Sequence, residues 1–472
     1  MLGNAMPDFR RRAVRESMTV RLDASGMLEE ALGAEGIRHS DVEALSARAA
    51  ECARTLHAQR EAGELAIYEL PRHPEFLRPI TALAAQVREE VDTLVVLGIG
   101  GSALGGRAIL DALADGSRRV EVADNVDPWS FGALLDSLDL TRTAFNVVSK
   151  SGETAATMAQ FLIVRDRLLR ALGAIDYKAR VIITTDAEQG SLRQIVNDEG
   201  FRDLVIPAGV GGRFSVLSAA GLFPAAVAGV RVEDLLAGAT WMDGRLRAEA
   251  LWDNPAHLLA ALLYLAETQR GKNVAVLMPY CDRLRAFAHW FAQLWAESLA
   301  KSSDVEGNPA RSGQTPQPAV GATDQHSQLQ LYLDGPPDKV VLFIRIEDHG
   351  REIEIPKAYD DLEGVGYLSG KGLGALLNME QRATEVALQK RGRMVMTLAV
   401  PQLNAFTLGQ LFLLFEAATV FAGALHRVNS ADQPAAEEGR RLTFGLAGRK
   451  GWADRAAEVE EWLASKPSRT FV

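Results

Sequence analysis

The chain has 472 residues and is 47% hydrophobic, enough for a large core spread over two or three domains. Its formal net charge of −10 argues against a nucleic-acid or anionic-membrane partner, and any bound phosphate must be held locally by hydroxyls, amides and a few cations. Cys52 and Cys281 form no disulfide framework and no metal-ligand spacing, MLGNAMPDFRRRAVRES carries no apolar signal core, and no segment reads as a membrane span; together these predict a cytoplasmic protein.

Residues 1–90 read as helical. Ser40 is placed to cap a helix over 41–51 with Glu43 as box partner, and Pro71, Pro74 and Pro79 punctuate the chain before a helix over 80–90. His39, His57 and His73 lack partners at useful spacing and read as surface residues.

From Thr93 a strand pattern recurs at roughly thirty-residue intervals: TLVVLGIG (93–100), RRVEVAD (118–124), TAFNVVSKSG (143–152), ARVIITTD (179–186) and DLVIPAG (203–209). Helix-like segments between them imply a parallel sheet wound on both faces, which binds ligands outside the carboxyl ends of its strands. Gly98-Ile-Gly-Gly-Ser102 follows the first of these strands and precedes a helix, the geometry that points free N–H groups at an anion. Three readings compete there: a bare turn, a phosphate-ester site, and a dinucleotide site built on Gly98-x-Gly100-x-x-Ala103 with Asp124 as ribose acid. Ser149-Lys-Ser-Gly-Glu-Thr154 favours the phosphate ester. Ser149, Lys150, Ser151 and Thr154 can all donate to phosphate oxygens, whereas Ser151 as a mere helix cap explains one hydroxyl of the set. After the fifth strand, Gly211 and Gly212 admit close backbone approach and Arg213 offers a permanent cation.

A linker is expected near 222–250, then Asn254-Pro255 as N-cap and first residue of a long helix. A second α/β pattern has strands over 273–278, 339–346 and 394–400 and a helix over 283–301. That helix sets Gln293 and Glu297 on one face; Phe291, Leu294 and Trp295 predict a poorly hydrated carboxylate, a condition that suits a general base. His289 lacks any metal-site pattern and reads as a packing residue. Residues 302–325 read as an irregular connection long enough to be functional, ending at His326 near the start of a helix.

Taken in order, GIGGS (98–102), SKSGET (149–154), GVGGRFSVLSAAGL (209–222), the Gln293/Glu297 helix, GATDQHSQ (321–328) and Asp432-Gln433-Pro434 resemble the glucose-6-phosphate isomerase family across most of 93–440. The resemblance implies an α/β fold with two sugar-isomerase-type α/β/α sandwich domains of mainly parallel sheet (91–225 and 226–428), N-terminal helices (1–90) and a C-terminal helical segment (429–472). It also implies a homodimer with shared active sites, hexose phosphate as substrate, and no cofactor or metal. The reaction implied is interconversion of glucose 6-phosphate and fructose 6-phosphate through a cis-enediol, in glycolysis and gluconeogenesis. Gly101, Ser102, Ser149, Lys150, Ser151, Thr154 and Gly212 match substrate-binding positions, and Gln293 and Gln433 match polar groups lining the site. Glu297 matches the base, Arg213 the cation beside the enediolate, and His326 a ring-opening residue lent by the neighbouring subunit. Where the family has a lysine assisting ring opening, this chain has Arg440, which keeps the charge but cannot release a proton at neutral pH. A dual-specificity phosphoglucose/phosphomannose isomerase, a non-catalytic sugar-phosphate-binding module and, more weakly, a dehydrogenase stay open on sequence.

Overall fold

The computed structural model describes residues 7–466; the outermost six residues of the expected N-terminal and C-terminal segments lie outside the described residues. In chain order the strands are β1 (Arg21–Asp23), β2 (Thr93–Leu97), β3 (Arg119–Ala123), β4 (Thr143–Val148), β5 (Val181–Thr185), β6 (Arg202–Val205), β7 (Val274–Pro279), β8 (Lys301–Ser303), β9 (Pro309–Ser312), β10 (Thr315–Pro318), β11 (Lys339–Asp348) and β12 (Met394–Gln402).

One sheet has the order β3-β2-β4-β5-β6 and is wholly parallel. Its central strands are apolar on both faces because both faces are covered. Val95, Leu97, Phe145 and Val147 pack with Phe131, Phe161 and Leu168 on one side. Leu94, Val96, Ala144 and Val148 join the main core on the other. The chain runs from β2 out to β3 and then returns to β4 on the far side of β2. The loops after β2 and β4 therefore open side by side where the strand order reverses, the usual place for a ligand in such a sheet.

The second sheet has the order β1-β12-β11-β7-β10, with β1 antiparallel to β12 and the rest parallel. The protein is thus α/β with mixed sheets and helical extensions. The N-terminal segment is not purely helical, since it supplies an edge strand to this sheet. Its long helix is His39–Glu61 and starts earlier than expected: Asp41, not Glu43, reaches back to the backbone N–H of Arg38 at 3.2 Å. The connection over 302–325 is not irregular throughout; it holds the β8–β9 hairpin and β10. Pro316 and Pro318 hid β10 from a propensity reading, yet proline is acceptable on an edge strand that pairs on one side only.

The expected linker near 222–250 is helix. Ala219–Val227 and Val232–Arg245 are largely buried, and the boundary drawn between 225 and 226 falls inside the first of them. With Pro255–Arg270 and Arg285–Leu299 these helices link the two sheets through one continuous core. At its centre lies Ala405–His426, with mean hydropathy 1.7 and 94% of its most apolar window buried. Contrary to the sequence reading, it has the length and composition of a membrane span. It is apolar all round because protein surrounds it. Gly238 and Gly409 let it touch Val232–Arg245 backbone to backbone: a Cβ on either would sit 1.9 Å from a carbonyl oxygen, of Phe406 or of Leu235.

Glu416, on this helix, is fully buried with no hydrogen-bond partner for either carboxyl oxygen, and burial pushes its pKa well above the carboxylate range. A carboxyl whose folded pKa is raised contributes its full share of stability below the unfolded value of about 4.3 and loses it as pH rises toward the folded value. Glu416→Gln removes this titration. The variant is expected to melt higher than the parent at pH 8, by about 2 °C or more, with the difference closing near pH 4.5. Thermal melts across that range measure it, and a gap independent of pH would show that Glu416 does not titrate.

Candidate active site

A cleft of about 800 Å³ opens at the carboxyl edge of the first sheet. The turn Gly100–Ser102 and the loop 149–154 form one wall and Asp186, Gln189 and Gly190 extend it; Gly211, Gly212, Arg213, Gln293, Glu297, Gln433, Glu437 and Arg440 complete the lining. Every residue that the family resemblance assigns to the site, except His326, lines this one cleft.

The wall formed by the loop 149–154 is a cluster of hydroxyls and one ammonium hydrogen-bonded to one another and to nearby backbone. Ser149 Oγ lies 3.0 Å from Thr154 Oγ1 and 3.5 Å from Ser151 Oγ, and it accepts from the N–H of Gly152 at 3.1 Å. Thr154 is the N-cap of the helix Ala155–Asp176, yet its side chain makes no capping bond. The first N–H groups of that helix are therefore left for an anion. Lys150 Nζ donates to the Val210 carbonyl at 2.6 Å and ties the two loops together. Ser102 closes the short turn before the helix Leu104–Leu113. Gly101 packs directly on Gly212: a Cβ at Gly101 would lie 2.2 Å from the Gly212 carbonyl carbon. Asp124, the acid that the dinucleotide reading requires, is outside the cleft and pairs with Arg107 at 3.2 Å.

The acid–base half comes from the other side. The helix Arg285–Leu299 buries Phe291, Leu294 and Trp295 in the core and turns Gln293 and Glu297 to the cleft. The Glu297 side chain is 30% exposed, so it is not sunk among those apolar residues as expected; its neighbours are polar. Gln293 Nε2 donates to Glu297 Oε2 at 3.2 Å, and Arg213 Nη1 lies 3.7 Å from the same oxygen. His289, two turns before Ala296, is exposed rather than packed.

Arg213 is 4% exposed and spends its fork on protein. Nε donates to Ser298 Oγ at 2.7 Å, Nη1 to Gln433 Oε1 at 2.9 Å, and Nη2 to the carbonyls of Asp432 at 3.1 Å and of Ser430. Burial lowers its pKa, opposed by the charges of Glu297 and Asp432, and a guanidinium starts so high that it stays a cation. Sequence reasoning missed Ser298 and Lys301, and gave Asp432 a place in a motif but no contact. Ser298 and Lys301 directly follow the base, but nothing local says that they point at a loop more than a hundred residues away.

Arg440 reaches the cleft from the helix Pro434–Leu446, paired with Glu437 and with its guanidinium 5.7 Å from the Phe444 ring centroid. His326 is exposed on the helix Thr323–Asp334 and does not line the cleft. Among the described residues no group of three or more His, Cys, Asp or Glu is placed to hold a metal ion.

Residues 80–449 match the family model of phosphoglucose isomerase. A glucose-6-phosphate isomerase of Carboxydothermus hydrogenoformans is 39% identical over 454 residues, covering 94% of this chain and 97% of that protein. One of Rubrobacter xylanophilus is 46% identical over 393 residues, covering 81% and 89%. A crystal structure of a hypothetical protein from Thermus thermophilus is similar with a TM-score of 0.83 and 36% identity, covering 91% of this chain and 100% of that one.

The Gly101–Gly212 contact is asymmetric, which makes it testable. A Cβ at Gly212 would meet nothing nearer than the Gly101 Cα at 4.0 Å. Gly101→Ala is expected to cost about 1–3 kcal/mol of stability by overpacking, and Gly212→Ala much less. Denaturant unfolding of both variants checks this, and equal losses would refute the backbone contact.

Proposed function

The chain belongs to the phosphoglucose isomerase family, and from that premise we propose how its cleft interconverts glucose 6-phosphate and fructose 6-phosphate. The enzyme is an aldose–ketose isomerase. One observation carries the mechanism: a carboxylate, Glu297, stands 3.7 Å from a buried guanidinium in the same cleft as a cluster of phosphate-type donors.

Ser102, Ser149, Lys150, Ser151 and Thr154 hold the phosphate with the amides at the start of Ala155–Asp176, while Gly101 and Gly212 let the sugar lie against backbone. Glu297 removes the proton from C2 of the open-chain aldose. The C2–H electrons form the C1–C2 double bond, and the carbonyl electrons move onto O1. Arg213 stabilises that growing negative charge, and a fixed donor of this kind is typically worth about 10²–10³ in rate. A proton passes from O2 to O1, and Glu297 returns its proton to C1 to give the ketose. Gln293 and Gln433 orient the base and the cation. Ring opening precedes this, with His326 exchanging protons with the sugar and Arg440 supplying a fixed positive field.

His326 would have to come from a second copy of the chain. Three features support a homodimer. His326 is exposed and outside the cleft of its own chain. Leu331 on the same helix, and Ile353, Tyr359, Leu362 and Tyr367 nearby in sequence, are exposed apolar residues. A second opening of about 850 Å³ shares Glu297 and Gln433 with the first. We further propose that each sheet with its helices forms one sugar-isomerase-type α/β/α domain, and that the free thiols Cys52 and Cys281 suit a reducing cytoplasm.

Glu297→Gln is expected to lower kcat for fructose 6-phosphate by about 10²–10⁴, with inhibition by inorganic phosphate unchanged. Near-full turnover would remove Glu297 as base. His326→Ala and Glu297→Gln proteins, each nearly inactive, should regain part of the activity when their subunits exchange. Failure after proven exchange would put both residues in one chain's site.

A further inference from the structure

Behind Glu297 lies a cation that the mechanism above leaves unused. Lys301 begins β8, four residues after the base, and its side chain is 7% exposed. Burying an ammonium is costly unless its donors are met, and most surface lysines instead extend their head into water. Lys301 Nζ is met three times at a single junction: it donates to the Glu297 carbonyl at 2.9 Å and to the Asp432 carbonyl at 3.0 Å, and lies 3.5 Å from Asp432 Oδ1. The first is an end-of-helix carbonyl, where a cation also meets the negative end of the dipole. The second belongs to the loop that leads through Gln433 into the helix carrying Glu437 and Arg440. Arg213 Nη2 donates to that same Asp432 carbonyl at 3.1 Å.

Resting on the reading of Glu297 as base and Arg213 as the enediolate cation, we propose that Lys301 is a positioning residue. It clamps the end of the base-bearing helix to the 430–433 loop, so that Glu297, Arg213 and Gln433 keep one mutual geometry while the sugar turns over. The phosphate donors lie on the first sheet, across the cleft, and their hydrogen bonds run to one another and to Val210 rather than to Lys301 or the 430–433 loop. Losing the clamp should therefore slow chemistry and leave phosphate binding alone.

The test uses Lys301→Met, Lys301→Arg, Gln433→Ala and the Lys301→Met/Gln433→Ala double variant of the full chain. Lys301→Met is expected to lower kcat for fructose 6-phosphate by about 10²-fold, the scale of a misplaced catalytic group. KM and inhibition by inorganic phosphate should stay within about twofold. Lys301→Arg should recover at least part of that loss by restoring the donors. In the Gln433→Ala background the methionine substitution should cost far less than alone, because both act on one loop. Amide hydrogen exchange over 430–437 should quicken in Lys301→Met with no change over 93–110. Unchanged kcat in an active, folded Lys301→Met, or losses that simply add with Gln433→Ala, would overturn the proposal. The exchange readout decides without turnover: equal protection over 430–437 in parent and variant also overturns it. A parent inactive on fructose 6-phosphate would instead sink the functional reading.

Discussion

The site depends on one buried guanidinium. Arg213 follows the last strand of the first sheet, takes its support from Ser298 on a helix of the second half, and holds the loop 430–433 by two carbonyls and the Gln433 side chain. A cation at 4% exposure is tolerable only because each arm of its planar fork is met. Meeting them forces three distant stretches of chain to converge at one point. The cleft is what is left between them, and its shape follows from satisfying the donors of one residue.

That arrangement divides the labour between the two halves. Donors for phosphate gather at the switch point of the first sheet, where parallel strands leave helix N-termini and glycine turns exposed at one edge. A chain with net charge −10 holds an anion there by concentrating neutral donors and Lys150 rather than by overall attraction. The proposed base comes from the core helix Arg285–Leu299, and the C-terminal segment adds the fixed charge of Arg440 and the Gln433 side chain. The Arg213 fork joins the two halves, while the Gly101–Gly212 contact fixes two glycine turns against each other within the first.

Much of this was legible in the residues. The five strands of the first sheet announce themselves by apolar, β-branched runs, β2 closed by a glycine turn, and Asn254-Pro255 starts its helix as its chemistry requires, with the Asn254 side chain accepting from the His257 N–H. The hydroxyls of SKSGET were visible because no structural role uses them all. What stayed hidden depends on contacts distant in sequence. β1 is three residues long and exists only because β12 offers an edge. Ala405–His426 has no amphipathic period, since it is surrounded. Lys301 gains its meaning from Asp432, 131 residues later. The expected apolar setting of Glu297 failed for a related reason: on a helix with its core side facing Phe291 and Leu294, a residue four after Gln293 shares the polar face.

The polar setting of Glu297 changes how its basicity is to be understood. A base sunk in apolar surroundings would be stripped of water; here the carboxylate stands beside Arg213 and Gln293. What makes proton removal feasible is then the balance over the step. In the proposed step Glu297 loses its charge and its hold on the guanidinium as it takes the proton, and the same unit of charge appears on the enediolate oxygen beside the same fork. Arg213 there exchanges one anion for another without moving, and little reorganisation is required. A cation shared equally by carboxylate and oxyanion lowers both and leaves their gap unchanged, so what Arg213 contributes to the proposed step is a fixed charge that needs no rearrangement in either direction.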